Sequence, residues 1–350
     1  MRGRDRVLAA FRFEEPDRVP MWHGLSQRFI AKALRELGLP DEEALRRRLG
    51  DDFRRVFARY DTPSRRFPEG VVSRTIFGVD RTGYEYGQPL SHPLAQAGLK
   101  EIHDYAWPDP ACVNVCGIRE AASAWHEEFA ILGGDWSPFW HDAIDLLGME
   151  NLYVKMYEEP ALVDALLTHL VDFYEASNRR IFEEAGDLMD IFFIGNDLGS
   201  QTGPLLGPKL FERFLLPHFR RLIRLGHDYG LKVQLHCCGG FEPLIPLLIG
   251  AELDALHAIQ PCCRGMELRA LKEKYGRRIV FNGAIDSQHV LIEGTPQSVR
   301  ARTREVLEIM MPGGGYVAGA SHDWVLEETP VENVVAMADT VFEHGRYLRT

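Results

Sequence analysis

From residue 129 onward the apolar positions repeat one arrangement. A short run of consecutive apolar residues stops at a polar or glycine-bearing break, and apolar residues at three-to-four spacing follow. Phe129-Ala130-Ile131-Leu132 stops at Gly133-Gly134-Asp135-Trp136, and Asp190-Ile191-Phe192-Phe193-Ile194 stops at Gly195-Asn196-Asp197. The runs 231–235, 255–259, 279–281 and 316–319 stop at His236-Cys237-Cys238, Gln260-Pro261-Cys262-Cys263, Asn282-Gly283-Ala284-Ile285-Asp286 and Ser321-His322-Asp323. Continuous apolar runs of this length read as buried strands, and the spaced segments predict helices over 160–185, 208–229, 266–275, 296–309 and 330–345.

The first third is less regular. A helix is predicted over 4–12 and a strand over Val19-Pro20-Met21-Trp22, ending at His23. Two helices follow within 26–60, the second on the spacing Leu45, Leu49, Phe53 and Val56. Val71, Ser73, Thr75 and Phe77 alternate, and a return from Tyr84 to Gly87 predicts a β-hairpin within 70–90. Residues 90–117 are proline-rich and irregular, and a helix resumes over 118–127.

Strands that alternate with helices pair in parallel, because a parallel pair needs a crossover connection. With the first strand and one from 70–90 the count reaches about eight, which closes a (β/α)8 TIM barrel. The expectation is an α/β fold with one barrel domain over 1–350. Residues 1–90 supply N-terminal helical and β-hairpin additions that cover part of its mouth. An open doubly wound sheet is disfavoured, since no Gly-x-Gly-x-x-Gly and no Gly-x-x-x-x-Gly-Lys-Ser/Thr motif occurs.

Charge and cysteine usage narrow the setting. A net charge of -11 without a compensating basic block argues against a nucleic-acid partner. No apolar run reaches the roughly 18 residues needed to span a bilayer, and the charged start is unlike a signal peptide. The cysteines fall at 112 and 116, 237 and 238, 262 and 263, which is not a secreted disulfide framework. The expected location is cytoplasmic, where cysteines gathered with histidine point to a metal or to catalysis. Nothing in the pattern sets the oligomeric state, and a homodimer stays open.

In a barrel all carboxyl ends of the strands face one mouth. Asp135, Asn196, Asp197, His236, Cys238, Gln260, Cys263, Asn282, Asp286 and His322 are therefore expected around one cavity. His236 and Cys238, two apart on an extended chain, point the same way, and imidazole with thiolate favours zinc. Cys237 should face the opposite side. A third metal ligand must come from another strand end, with Cys263, Cys262, Cys237 and His322 as candidates. Asp197, Asn196 and Asp286 are candidate catalytic residues, although Asp and Asn before a helix also serve as caps. Trp136, Trp140 and Trp324 near strand ends could be core or could wall a substrate pocket, with His23, Gln260 and Asn282 beside it.

The chain resembles the uroporphyrinogen decarboxylase superfamily, and within it the corrinoid-linked methyltransferase branch. The resemblance spans nearly the whole chain. It rests on Arg4-Asp5-Arg6-Val7-Leu8-Ala9-Ala10, Pro16-Asp17-Arg18-Val19-Pro20, Gly195-Asn196-Asp197-Leu198-Gly199 and Gly203-Pro204, and on the helix from Phe211 to Pro217. It continues through Leu235-His236-Cys237-Cys238-Gly239, Phe281-Asn282-Gly283-Ala284-Ile285-Asp286 and Pro312-Gly313-Gly314-Gly315-Tyr316. The resemblance implies a barrel enzyme that holds zinc and moves a methyl group between a small molecule, a methyl ether or a thiol, and a corrinoid on a partner protein. The branch carries His-x-Cys and a later cysteine, and His236 and Cys238 match the first two. Where the late cysteine belongs this chain has Gly319-Ala320-Ser321-His322, so His322 is the preferred third ligand and Cys263 its rival. The superfamily's decarboxylases grip their substrate's carboxylates with an N-terminal arginine-rich stretch. Here the corresponding segment, 23–29, holds only Arg28, so decarboxylation is a second reading and a non-catalytic binding barrel a third.

Overall fold

The computed structural model describes residues 1–61, 67, 69–83 and 87–347. Seven parallel strands form one curled sheet: β1 (Phe53–Arg55), β2 (Ala130–Gly133), β3 (Ile191–Gly195), β4 (Lys232–His236), β5 (Ala255–Ile259), β6 (Val280–Ile285) and β7 (Tyr316–Ala320), paired in that order. The segment 19–22 is the eighth stave. Ala318 N–H donates to Pro20 O (2.8 Å) and Trp22 N–H to Ala318 O (3.0 Å), while Asp52 N–H donates to Met21 O (2.9 Å). It thus lies between β7 and β1 and closes the TIM barrel.

The second stave differs from the expectation. The helix Glu42–Leu49 stops at Gly50, whose left-handed backbone (φ 69°) ends it. Phe53 and Val56 then belong to β1 and its end, not to that helix. The apolar spacing ran on across the break by coincidence of register. The hairpin contributes no stave: Ser73–Arg74 pairs with Asp80–Arg81 in a separate two-residue ladder. Its return at Tyr84 lies outside the described residues. Helices expected over 160–185 and 296–309 appear as Pro160–Ala185 and Pro296–Met310. Among the described residues no helix is long and apolar enough to cross a membrane.

Alternation along each stave sorts side chains between lumen and helix layer. Phe53, Ala130, Leu132, Ile191, Phe193, Ala255, Val280 and Val317 fill the lumen with Trp22, and Val7 and Phe11 of helix Gly3–Phe11 plug its floor. The same alternation aims Arg55, His236, His257 and Asn282 into the lumen nearer the mouth.

The floor carries a repeated device. Asp52, Asp190 and Asp254 each precede a stave by one residue, and each accepts a backbone N–H from the stave before it. The donors are Met21, Ile131 and Val233, all at 2.9 Å. A base clips each carboxylate in turn: Arg6 and Arg18 on Asp52 (2.6 and 2.8 Å), Arg4 on Asp190 (3.0 Å), Lys232 and His227 on Asp254 (2.7 and 2.8 Å). Three of the four alternate staves, β1, β3 and β5, are tied to their predecessors in this way, whereas β7 is preceded by Gly315.

Candidate functional site

β4 delivers His236 to the mouth, and the chain turns at once through Cys238 and Gly239. Gly239 takes a positive φ of 86°, and a side chain there would strike the backbone of Gly199 at 2.4 Å. The loop is also pinned by Gly239 N–H donating to Gln260 Oε1 (2.8 Å) and by Cys238 N–H donating to Asp197 Oδ1 (2.7 Å). These contacts fix where the Cys238 thiol stands.

Three donor atoms converge there. His236 Nε2 lies 3.3 Å from Cys238 Sγ and 3.6 Å from Asp197 Oδ1. An ion about 2.0–2.1 Å from nitrogen or oxygen and about 2.3 Å from sulfur sets tetrahedral ligand edges of roughly 3.3 to 3.6 Å. Two edges of the trio have about that length, and all three donor atoms lie within 4.8 Å of one another, close enough for one zinc-sized ion. His236, His257 and Asp323 form a second, fully buried group whose donor atoms lie within 4.8 Å of one another.

His322 and Cys263 stand outside both groups. The His322 ring is 6.5 Å from the His236 ring, edge-on, and its Nδ1 lies 2.9 Å from Trp324 O. The Cys263 thiol faces Gln201 Oε1 (3.4 Å) and Gln260 Oε1 (3.5 Å). Cys237 is fully buried on the far side of the strand, where its sulfur accepts Leu198 N–H at 3.2 Å.

The other expected residues divide between mouth and scaffold. Trp136 leans on the His236 ring (5.2 Å) and stands edge-on to Phe193 (5.0 Å). It fits only because residue 195 is glycine, since a Cβ there would lie 1.9 Å from the indole. Trp324 separates two clefts: one of about 220 Å³ holding His322, Gln260, Cys262 and Asp286, and one of about 380 Å³ holding Trp22, Arg46, Arg54 and Arg55. Asn196 is fully buried, and both ends of its amide serve backbone: Oδ1 accepts from Trp140 N–H (2.9 Å) and Nδ2 donates to Ser137 O (3.1 Å). Asp286 caps the turn after β6, accepting from Gln288 N–H (2.8 Å) and His289 N–H (3.1 Å). Asn282 Nδ2 donates to Gln234 Oε1 inside the lumen (3.2 Å). His23 is buried with Nε2 on Leu49 O (3.2 Å), and burial lowers its pKa to about 4.

Four further residues shape the site. His141, on helix Phe139–Leu147, places Nε2 3.3 Å from Asp197 Oδ2. Burial opposes ionisation of Asp197, but His141, His236 and the Cys238 N–H outweigh it and hold this carboxyl well below the usual range. Burial pushes the Cys238 thiol up, and Asp197 adds to the shift. A bound cation reverses that preference, because a coordinated thiol gives up its proton. The buried His257 and Asp323 and the part-buried Arg55 form a row on the opposite side of His236. His141 escaped a reading confined to strand ends. His257 carried a signal, as an imidazole in the middle of an otherwise apolar strand, but its register against His236 was not visible.

Comparison with known proteins agrees with this architecture. A family model for uroporphyrinogen decarboxylase matches residues 85–344. A methylated-thiol--coenzyme M methyltransferase of Methanosarcina mazei is 23% identical over 263 residues, 72% of this chain and 65% of that protein. The methylcobamide:CoM methyltransferase MtbA of Methanosarcina acetivorans is 20% identical over 57% of each chain. A uroporphyrinogen decarboxylase of Azoarcus is 32% identical over 104 residues, 29% of this chain and 28% of that one. The chain thus spans between 28% and 65% of the length of these curated relatives. A solved methyltransferase from Methanosarcina mazei superposes with a TM-score of 0.70 at 19% identity, covering 98% of this chain and 99% of its own. That likeness establishes the shared barrel. The family match, over most of the chain, bears out the resemblance read from the motifs: the chain belongs to the uroporphyrinogen decarboxylase family.

Proposed function

We propose that this chain is a zinc-dependent methyltransferase, moving a methyl group between a small substrate, a methyl ether or a thiol, and a corrinoid carried by a partner protein. The observation that carries the reading is the convergence of His236 Nε2, Cys238 Sγ and Asp197 Oδ1 at spacings that suit one ion. The names of two relatives, acting on a methylated thiol and on methylcobamide, support the same chemistry. A cytoplasmic location, and one catalytic barrel over 1–350, belong to this reading.

His236, Cys238 and Asp197 would hold the metal, and His141 fixes the Asp197 carboxylate that would be its third ligand. Bound there, zinc would supply a Lewis acid that favours a thiolate or polarises an ether oxygen at neutral pH. The Asp197 side chain is 36% exposed, so the group is reachable from the mouth. Trp136 and Trp324 wall the approach, limit water and present apolar faces to the methyl-bearing part of the substrate. Gln260 keeps the Cys238 loop in place through Gly239 N–H.

Decarboxylation of the porphyrinogen type ranks second. Arg28 is 84% exposed and faces Glu327 at 3.7 Å, so it offers no enclosed grip for a poly-anion.

The test is elemental analysis with a methyl-transfer assay using methylated cobalamin and simple thiols. Wild-type protein should hold about one zinc per chain. Cys238→Ala should lose both metal and transfer, while Cys237→Ala should keep both. Full zinc and full transfer in Cys238→Ala would end this reading.

A further inference from the structure

His236 and His257 are paired residues on adjacent staves, so their rings enter the lumen side by side. The two Nδ1 atoms lie 3.1 Å apart, with ring centroids at 5.1 Å. Only one proton can occupy the space between two ring nitrogens at that distance. A metal takes neutral imidazole, so binding through His236 Nε2 leaves the His236 proton on Nδ1. The acceptor for that proton is His257 Nδ1, which must then be bare.

The surroundings of His257 leave its Nδ1 facing His236. It is fully buried between Trp22 and Phe193, with ring centroids at 6.4 and 5.3 Å. Asp323 Oδ1 stands 4.0 Å from His257 Nδ1, too far for a hydrogen bond. Its other oxygen faces Arg55 Nη1 at 3.4 Å. The Arg55 guanidinium is held against the rings of Phe57 (4.4 Å), Trp136 (4.8 Å) and Phe193 (4.8 Å). Asp323 is thus turned toward Arg55, and the hydrogen-bonding neighbour of His257 Nδ1 is His236.

We propose that His257 is a positioning residue for metal binding: it accepts the Nδ1 proton of His236 and so aims the Nε2 lone pair at the Cys238–Asp197 side of the mouth. This rests on the zinc reading above. Histidines that bind metals usually donate their second N–H to a carboxylate, a carbonyl or water. Here the acceptor is a neutral imidazole, which fixes the tautomer without adding negative charge behind the ligand.

The experiment is zinc affinity by competition with a chromophoric chelator, together with the absorption spectrum of the cobalt(II)-substituted protein. His257→Leu keeps the volume and removes the acceptor, and should weaken zinc on the order of 10- to 100-fold and alter the cobalt spectrum. His257→Asn, which returns an acceptor near the Nδ1 position, should restore both. If His257→Leu does not fold, His257→Asn against His257→Gln decides. Gln sets its amide near the Nε2 position instead, so Asn should bind tightly and Gln weakly, and equal affinities would overturn the proposal. Unchanged affinity in a folded His257→Leu would also overturn it. So would loss of metal in His257→Leu and Asp323→Asn with retention in Cys238→Ala, which would put the ion in the buried group. Wild-type protein that binds no zinc would instead defeat the function proposed above.

Discussion

Asp52 and Asp323 stand at opposite ends of the barrel, both buried and both facing arginine. Asp52 receives Arg6, Arg18 and the Met21 N–H, all between 2.6 and 2.9 Å. Asp323 has one arginine contact at 3.4 Å, and its second oxygen has no hydrogen-bond partner among the described residues. His257 Nε2, Gln234 Nε2 and Asn282 Oδ1, also toward the mouth, are likewise unpartnered. Leaving buried polar atoms unmet costs stability, so the floor secures the fold while the mouth gives up some stability for the site.

The sharpest way to break this contrast is at the floor. Asp52→Asn removes the buried charge between the buried Arg6 and the part-buried Arg18 and should cost about 3–5 kcal/mol, the usual effect of breaking a buried pair. Chemical denaturation would show the loss, while zinc affinity of the folded fraction should not move. If the affinity falls with the stability, floor and mouth are not separable.

A change at the mouth should act on both properties. Gly195→Ala drives a Cβ into Trp136 and must displace it from His236. We expect a loss of about 1–3 kcal/mol, as for other overpacked sites, accompanied by a measurable shift in zinc affinity. Loss of stability alone would show that Trp136 only packs.

The smallest effect concerns His227 on the floor. Its bond to Asp254 raises its pKa above the ordinary 6.5, against a lesser opposing effect of burial. A raised folded pKa stabilises the protein fully below the unfolded value, and the gain disappears as pH rises through the folded value. Wild type should therefore lose its advantage over His227→Gln as pH climbs above about 6.5, by under roughly 1 kcal/mol because the pair is part-exposed. Melting temperatures of both proteins from pH 5.5 to 8.5 test the sign.

The barrel was legible in the sequence because buried parallel strands are continuous apolar runs, and six of them stood clear. The stave β1 was not, because three residues are too few to show a period and a helical spacing ran into them. Two signals were available: Gly50 after the last helical residue, and an aspartate directly before the strand, as at Asp190 and Asp254. At the site, His236, Cys238 and Asp197 lie close in space, and their strand-end positions were readable. His141, His257, Asp323 and Arg55 depend on registers and helix placement that spacing along one chain does not encode.

The segment 19–22 hydrogen-bonds to β7, nearly 300 residues later, as well as to Asp52 just before β1. Until residues 316–320 leave the ribosome, the growing sheet has no partner for either edge, segment 19–22 or β6. Closure is therefore a late, high-separation event, and long-range pairing of this kind is slow. Nascent chains stopped short of β7 should expose an unpaired strand edge and depend on chaperones, whereas the last few dozen residues convert an aggregation-prone ribbon into a surface without edges.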